Sequence, residues 1–250
     1  MSVKTVKNVV ICGATSAIAQ EVAKLFAAQG ACLLLQSRDQ QHLNAIRDDL
    51  LARGAAKVEV LVCDARELLS AESLLTFATE VLGQVDLLLL AFGTLGNQEK
   101  DQDQFDGQMD LFTTNTLAPF AILTTFANYM AQKKTGHLVV LSSVAGDRGR
   151  KLNYIYGASK AALTCYSSGL RARMSEHGVK VLTIKLGTVD TPMTAHLPRS
   201  PLSAKPNRIA HLILNGIQND KKILYLPWYW RPIILIIKLI PESLFSKFTY

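Results

Sequence analysis

The chain has 250 residues, of which 49% are hydrophobic and 19% are charged, so it carries enough apolar surface for one sizeable core. This balance excludes wholesale disorder, and the interruption of the longest apolar run, 233–240, by Lys238 excludes a polytopic membrane protein. The net charge of +7 is not concentrated in an arginine-rich tract with interleaved aromatics, which argues against a nucleic acid partner.

Nothing in the composition divides the chain, so we expect one domain over 1–226 and a hydrophobic, basic extension over 227–250. The first residues lead directly into an apolar run without the features of a secretory signal, which predicts a cytoplasmic protein. The cysteines have neither C-x-x-C spacing nor zinc-site spacing. We therefore expect no metal site, and we expect reduced core residues at Cys12, Cys32, Cys63 and Cys165.

Short apolar runs alternate along the chain with longer patterns of helical period. Seven runs predict strands, at Asn8 to Cys12, Ala31 to Gln36, Lys57 to Val62, Asp86 to Ala91, His137 to Ser142, Val179 to Leu186 and Ile223 to Leu226. Helices are predicted between them at about 17–29, 40–53, 67–82, 105–132, 154–177 and 205–217. The alternation predicts an α/β protein with a doubly wound Rossmann fold, in which a seven-stranded parallel sheet has helices on both faces.

A turn of small residues follows the first predicted strand, and its backbone suits a pyrophosphate group. Gly13 begins this turn, and Thr15, Ser16, Ala17 and Ile18 lead into the next helix. N–H groups at a helix N-terminus point towards an anion, and small side chains let the anion approach. Because Ala17 replaces a glycine of the usual dinucleotide fingerprint, an ordinary strand-to-helix turn remains the alternative.

The second predicted strand ends near Ser37 and Arg38, where an NAD site carries an acidic residue. A guanidinium and a hydroxyl suit the 2′-phosphate instead, so the sequence favours NADP(H), with NAD(H) as the alternative cofactor. Asp64 closes the third predicted strand. It is a candidate acceptor for the adenine amino group, or a cap of the following helix.

Tyr156 and Lys160 are spaced i and i+4, which places a phenol and an ammonium on one helical face. A free phenol has a pKa of about 10, and a neighbouring cation lowers it. Tyr156 is therefore a candidate proton donor to a carbonyl oxygen, with Lys160 lowering its pKa. Ser143, at the end of the fifth predicted strand, is a candidate to orient the same oxygen.

With these residues in this order, the chain resembles the short-chain dehydrogenase/reductases from the first strand to about residue 195. Ser143, Tyr156 and Lys160 match the family's catalytic serine and Y-x-x-x-K pair, and Asn115 matches the asparagine of its tetrad. The resemblance implies NAD(P)-dependent hydride transfer between a ketone and a secondary alcohol, with Asn115 holding a water linked to the lysine. It also implies a homodimer or homotetramer formed through the two long helices that contain Asn115 and Tyr156.

Two further segments resemble the regions of that family that bind nicotinamide, one after the fourth strand and one after the sixth. The resemblance implies cofactor contacts at Ala91, Phe92, Gly93, Gly187, Val189 and Thr191. Both segments also depart from the family pattern. Leu186 replaces the usual proline, and Ala91-Phe92-Gly93 departs from the usual Asn-Asn-Ala-Gly.

The stretches 91–96, 142–148, 191–197 and 226–241 resemble one branch of the family, the reductases that form decaprenylphosphoryl arabinose from its keto-pentose precursor. This resemblance implies a keto-sugar carried on a polyprenyl phosphate as substrate. Arg148 and Arg150, just beyond Ser143, are candidate contacts for the lipid phosphate. Met193 is a candidate substrate contact in a predicted lid over 192–206.

The end of the chain combines tryptophans and aliphatic residues with five basic residues and one acidic residue from 221 onward. This pattern suits a helix that lies on an anionic membrane surface, here the inner face of the membrane. A subunit contact and a helix folded over the substrate pocket are the alternatives.

These features favour an NADP(H)-dependent short-chain reductase of a ketone. The first alternative keeps this chemistry and makes the substrate a soluble ketone. The second is a non-catalytic dinucleotide sensor that uses the hydrophobic tail to contact a partner, although such a sensor needs no paired tyrosine and lysine.

Overall fold

The computed structural model describes residues 6–67, 70–195 and 201–247. Part of the predicted lid, 196–200, lies outside the described residues. The strands are β1 (Asn8–Cys12), β2 (Cys32–Ser37), β3 (Lys57–Val62), β4 (Leu87–Leu90), β5 (His137–Ser143), β6 (Lys180–Leu186) and β7 (Ile223–Leu226). They form one parallel sheet in the order β3-β2-β1-β4-β5-β6-β7, which confirms the predicted fold.

Helices cover both faces of this sheet, and in the described part of the chain two further helices follow the last strand. They are α1 (Ala17–Ala27), α2 (Gln40–Ala52), α3 (Ser70–Leu82), α4 (Gln98–Asp101), α5 (Phe105–Phe112), α6 (Ala118–Lys133), α7 (Tyr154–Ser175), α8 (Pro206–Gln218), α9 (Trp230–Leu239) and α10 (Glu242–Phe245). The chain order turns back between β1 and β4, and a doubly wound sheet has its ligand crevice at this switch point.

The core consists of two apolar layers, one on each face of the sheet. Side chains alternate along a strand, so Val9 and Ile11 join the layer packed by α1, α2 and α8, whereas Val10 joins the layer packed by α3, α6 and α7. The run Leu87–Leu90 is buried throughout because helices cover both of its faces. This double burial fixes the strands whose carboxyl ends carry the site.

The predicted helix 105–132 is interrupted in the structure. A π-helical turn, Thr113–Leu117, separates α5 from α6, and it contains the buried Asn115. A π-turn adds one residue to a helical turn without changing which residues are apolar, so the hydrophobic period does not reveal it. The expectation that all four cysteines are core residues is also wrong, because Cys165 is exposed on α7.

The end of the chain folds back so that α9 packs against β7 and the turn Val144–Asp147. Ile234 of α9 is buried, whereas Leu235, Ile236 and Leu239 on the same helix are 60%, 64% and 74% exposed. One face of α9 therefore packs on the protein and the other meets solvent. Within the described ranges, every helix is too short or too polar to cross a membrane.

Candidate active site

Two adjoining cavities open at the carboxyl ends of the strands. The inner cavity, of about 310 Å³, is lined by the predicted residues Thr15, Ser16, Ala17, Ile18, Ala91, Phe92, Gly93, Ser143, Arg150, Tyr156, Lys160, Gly187, Val189, Thr191 and Met193. The outer cavity, of about 610 Å³, adds Gly13, Ser37, Arg38 and Asp64. Thr15, Ser16 and residues 91–93 border both cavities, so together they form one groove from Arg38 to Tyr156.

The turn between β1 and α1 forms the floor of this groove. Gly13 has φ +78°, and a Cβ there would lie 2.6 Å from the backbone nitrogen of Phe92, so only glycine fits. Ser16 is the N-cap of α1 but makes no side-chain hydrogen bond to the helix. The first N–H groups of α1 therefore lack that internal acceptor, which is the chemistry that a pyrophosphate needs.

Ser143 and the turn after it, Val144–Asp147, are held tightly against α7. Parallel pairing places Ser143 beside Leu186 of β6, and its hydroxyl donates to the Leu186 carbonyl at 3.3 Å. A Cβ on Gly146 would lie 2.6 Å from the Ala161 nitrogen, which shows how closely the turn approaches α7. The buried ion pair between Asp147 and Lys185 fixes the turn from its other side.

Tyr156 and Lys160 face the same cavity, as their spacing predicts. The Lys160 ammonium lies 5.9 Å from the centroid of the Tyr156 ring and donates to the Leu141 carbonyl at 3.2 Å. Burial lowers the pKa of Lys160 to about 8. Burial also raises the pKa of Tyr156, and the Ser143 hydroxyl and the charge of Arg150 oppose that rise.

The structure adds a second cation to this electrostatic arrangement. The charge of Arg150 is among the influences that lower the pKa of Tyr156. Desolvation disfavours the ammonium of Lys160 and the phenolate of Tyr156 alike, because both groups are buried in the same low-dielectric site. That Lys160 lowers the pKa of Tyr156 stays a prediction.

A phenol, an ammonium and a serine hydroxyl thus lie at one end of a groove whose floor includes a helix N-terminus. The short chain dehydrogenase family model matches residues 7–201 of the chain. The chain belongs to the short-chain dehydrogenase family. The family match and the relatives described as oxidoreductases identify it as an oxidoreductase enzyme of a family that binds NAD(P).

Two relatives of this dehydrogenase carry the same general description. It is 34% identical over 239 residues to an uncharacterized oxidoreductase of Mycobacterium tuberculosis, with 96% of each chain covered. It is 31% identical over 246 residues to an uncharacterized oxidoreductase of Streptomyces coelicolor, which covers 96% of this chain and 95% of the relative.

Solved structures support the fold of the dehydrogenase. Levodione reductase superposes with a TM-score of 0.80 at 20% identity, covering 89% of this chain and 96% of that protein. A variant of actinorhodin polyketide ketoreductase with NADPH superposes with a TM-score of 0.79 at 22% identity, covering 88% and 95%. At sequence identities this low, the structural similarity shows a shared fold and nothing further.

In the outer cavity of the dehydrogenase, the Arg38 guanidinium is exposed to a ligand, whereas the Asp64 carboxylate is hydrogen-bonded within the protein. The Arg38 side chain is 70% exposed, and its guanidinium lies 3.8 Å from Asp64. Arg66, which the sequence analysis missed, donates to the Asp64 carboxylate at 3.0 and 2.7 Å. The hydrogen bonds from Arg66 lower the pKa of Asp64. Asp64 also accepts a hydrogen bond from the Arg66 backbone nitrogen at 2.9 Å.

Asn115 lies behind the inner cavity rather than on its wall. Its side chain accepts from the Thr94 nitrogen and donates to the Thr94 carbonyl, both at 2.8 Å, and donates to the Ser159 hydroxyl at 3.1 Å. A Cβ on Gly93 would lie 3.1 Å from Asn115 Oδ1 and 3.3 Å from Lys160 Nζ. The asparagine therefore braces the loop after β4 next to the ammonium.

The two arginines predicted as substrate contacts have different surroundings in the structure: one is bound to the end of the chain, and the other faces the inner cavity. Arg148 donates to the carbonyls of Ile237 and Ile240, pairs with Glu242 at 2.9 Å and stacks on the ring of Phe245. These contacts occupy its guanidinium, so the prediction that Arg148 binds substrate is corrected: it fastens the end of the chain to the catalytic turn. Arg150, in contrast, lines the inner cavity.

Trp230 is one of the lining residues that sequence reasoning did not assign to the site. A Cβ on Gly187 would lie 1.8 Å from the indole Nε1, so the ring lies directly against the Gly187 backbone. The tail pattern indicated a membrane or subunit contact, and the alternative of a helix over the pocket describes Trp230 better. The available signal was the tryptophan at the start of an apolar helix, four residues after the end of the last strand.

Proposed function

We propose that this dehydrogenase reduces a ketone to a secondary alcohol with NADPH. The observation that carries the proposal is the common cavity of Ser143, Tyr156 and Lys160 at the end of a groove that leads to Arg38. In this proposal the turn at 13–18 holds the pyrophosphate, and the backbone and small side chains at 91–93 and 187–191 hold the nicotinamide ribose and ring. When bound there, the reduced nicotinamide supplies the hydride.

The remaining chemistry belongs to residues of this chain. Tyr156 donates its proton to the carbonyl oxygen as the carbon accepts hydride, and Ser143 orients that oxygen by a hydrogen bond. Lys160 binds the ribose hydroxyls and supplies positive charge near the phenol. Because burial keeps the Tyr156 pKa high, the phenol holds its proton at neutral pH, which favours the reductive direction.

The direct test is oxidation of NADPH, followed by absorbance, with a panel of ketones that includes cyclic, aliphatic and sugar-derived members. We expect turnover with at least one ketone class and formation of the corresponding secondary alcohol by mass spectrometry. Binding of NADPH without turnover of any panel member would contradict the proposal and favour a dinucleotide sensor.

Arg38→Gln tests the cofactor preference. Loss of charge-assisted hydrogen bonds to the 2′-phosphate should raise KM for NADPH by about 10- to 100-fold and leave KM for NADH nearly unchanged. Arg47→Gln is the matched control, since Arg47 is a partly exposed arginine on α2 that pairs with Asp48 away from the groove. Equal changes for both cofactors would leave NAD(H) as the better proposal.

The resemblance to the decaprenylphosphoryl keto-pentose reductases refines the proposed substrate to a keto-sugar on a polyprenyl phosphate. The apolar outer face of α9, next to the pocket residue Trp230, supports a substrate with a lipid tail. A soluble ketone remains the second candidate. It is favoured by the small inner cavity, which is about 310 Å³ and takes only a compact reacting group.

We further propose peripheral contact with the inner face of the membrane through α9, in a protein that resides in the cytoplasm. Leu235, Ile236 and Leu239 present an apolar face, and exposed Arg231 and Lys238 flank it. The full-length protein should float with vesicles rich in phosphatidylglycerol and sediment with phosphatidylcholine alone. Replacing the three apolar residues by glutamine should abolish flotation. Equal flotation of both proteins would remove the membrane contact.

That experiment needs a control for surface hydrophobicity in general. Leu51→Gln changes an apolar side chain that is 44% exposed on α2, away from α9, and should leave flotation unchanged.

We propose a homodimer or homotetramer through the helices that carry Asn115 and Tyr156. Phe105 and Met109 give α5 an exposed apolar face that suits such a contact, and light scattering measures the mass.

A further inference from the structure

Arg150 carries a positive charge that the protein itself leaves unpaired. Across the part of the chain that the structure describes, no carboxylate lies within ion-pair distance of its guanidinium. Burial lowers the pKa of Arg150, and the phenol of Tyr156 is the group that opposes this effect. A half-buried guanidinium without an anionic partner is costly, so its position on a cavity wall indicates a partner that comes from outside.

Two further residues of the same cavity wall each carry a buried polar atom without a hydrogen-bond partner. These atoms are Nε1 of Trp230 and Oδ1 of Asn153. Buried polar atoms in folded proteins nearly always have partners, so unpartnered atoms beside a cavity call for a specific explanation. The indole N–H can only donate, whereas the amide oxygen can only accept.

These three side chains come from different parts of the chain. Asn153 and Arg150 lie in the connection before α7, and Trp230 begins α9. Arg148 donates hydrogen bonds to Ile240 and Glu242 and so binds the end of α9 to the same connection. These contacts hold the two sides of the cavity wall in place relative to each other. All three residues line the inner cavity together with Tyr156.

We propose that Arg150, with Trp230 and Asn153, binds an anionic group of the substrate, and that the substrate is a hydroxylated ketone with a carboxylate or a phosphate ester. The proposal rests on the proposed ketone reductase function. Arg150 binds two oxygens of the anion through its planar N–H groups, and the indole N–H donates to one of these oxygens or, in a phosphate ester, to a third. Asn153 Oδ1 accepts a hydrogen bond from a substrate hydroxyl.

The test compares pairs of probes that differ in charge. Acetoacetate is paired with methyl acetoacetate for a carboxylate, and dihydroxyacetone phosphate is paired with dihydroxyacetone for a free phosphate ester. Farnesyl phosphate and farnesol, as competing ligands, represent a phosphate carried on a lipid. Turnover gives the ratio of kcat/KM between the members of each substrate pair. Calorimetry with NADPH-saturated Tyr156→Phe protein gives the Kd of each probe without turnover.

Arg150→Gln removes the charge, and Lys151→Gln is the matched control. Lys151 is the exposed neighbour of Arg150 and does not line the inner cavity. We expect Arg150→Gln to weaken binding of at least one anion by about 10- to 100-fold. The ratio of kcat/KM for the anionic substrate to kcat/KM for its neutral partner should fall by a similar factor. Lys151→Gln should change either value less than about twofold.

The arms distinguish the source of the anion, since the favoured pair identifies a carboxylate, a free phosphate or a lipid phosphate. Equal weakening by the two variants, or no preference of the parent protein for any anion, would overturn the anion site. In that event, turnover of a neutral ketone that depends on Tyr156 would leave the proposed function intact. If no ketone is turned over but Arg150 still governs anion binding, the proposed function fails and the site stands.

Discussion

Tyr156→Phe should lower kcat for ketone reduction by about 10²- to 10⁴-fold, the usual contribution of a positioned general acid. Phenylalanine keeps the ring and its packing but removes the only proton that the residue can donate. The Kd of NADPH, measured by fluorescence titration, should change less than about twofold, because the groove at residues 13–18 and Arg38 is untouched. The loss should therefore appear in kcat rather than in cofactor binding.

Tyr154→Phe is the matched control for this variant. Tyr154 begins the same helix but is 43% exposed and does not line the inner cavity. It should keep the parent rate within about twofold, as expected of a surface change. A Tyr156→Phe protein that reduces ketones at a rate near that of the parent would exclude the phenol as the proton donor.

The pH dependence of the reaction should follow from the two buried groups. Burial raises the pKa of Tyr156, so the phenol stays protonated through the neutral and mildly alkaline range. Lys160, with a pKa of about 8, loses its positive charge first as the pH rises. The pH profile of kcat/KM for NADPH reports the groups of the free enzyme, so we expect its alkaline fall to follow the pKa of the lysine rather than that of the tyrosine.

The fold was predictable from the sequence because its determinants are local and periodic. Runs such as Leu87–Leu90 are apolar at every position, and this pattern requires burial on both faces, which only a central strand between helical layers provides. The spacing of Tyr156 and Lys160 fixed their common face in the same way, since helix geometry alone brings i and i+4 together.

The parts of the site that the sequence did not predict depend on tertiary contacts. Arg148 and Arg150 are chemically identical and nearly adjacent, yet one binds the carbonyls at the end of α9 and the other lines the cavity. The two arginines have different roles because the segment after β7 folds back and supplies carbonyl partners for Arg148. The same segment brings Trp230 onto Gly187, a contact between residues that are far apart in the sequence.

Lys160→Met should remove ketone reduction and at the same time stabilise the fold. Lys160 is 5% exposed, and desolvation lowers its pKa from 10.5 to about 8. At neutral pH the folded protein bears the full cost of a buried ammonium, about 3 kcal/mol for a shift of this size. Methionine has a similar volume and no charge, but it leaves the Leu141 carbonyl without its donor.

The expected net gain in the free energy of unfolding at neutral pH is therefore about 1 to 3 kcal/mol, measured by urea unfolding without cofactor. Its sign with pH follows from the direction of the shift. Between pH 8 and 10.5 the unfolded chain binds more protons at Lys160 than the folded protein does, so the parent gains stability as the pH rises. The advantage of Lys160→Met should accordingly shrink towards about pH 10.

Lys133→Met provides the control, because Lys133 is exposed on α6 and should shift the free energy of unfolding by less than about 0.5 kcal/mol. Steady-state kinetics measures the effect on the reaction: loss of the ammonium in Lys160→Met should reduce kcat/KM for the ketone by about 10²-fold or more. A gain in stability together with a loss of activity is the signature of a charge that folding alone disfavours and the reaction requires. If Lys160→Met is less stable than the parent at neutral pH, or if the difference does not narrow at alkaline pH, then Lys160 does not impose the cost assigned to it.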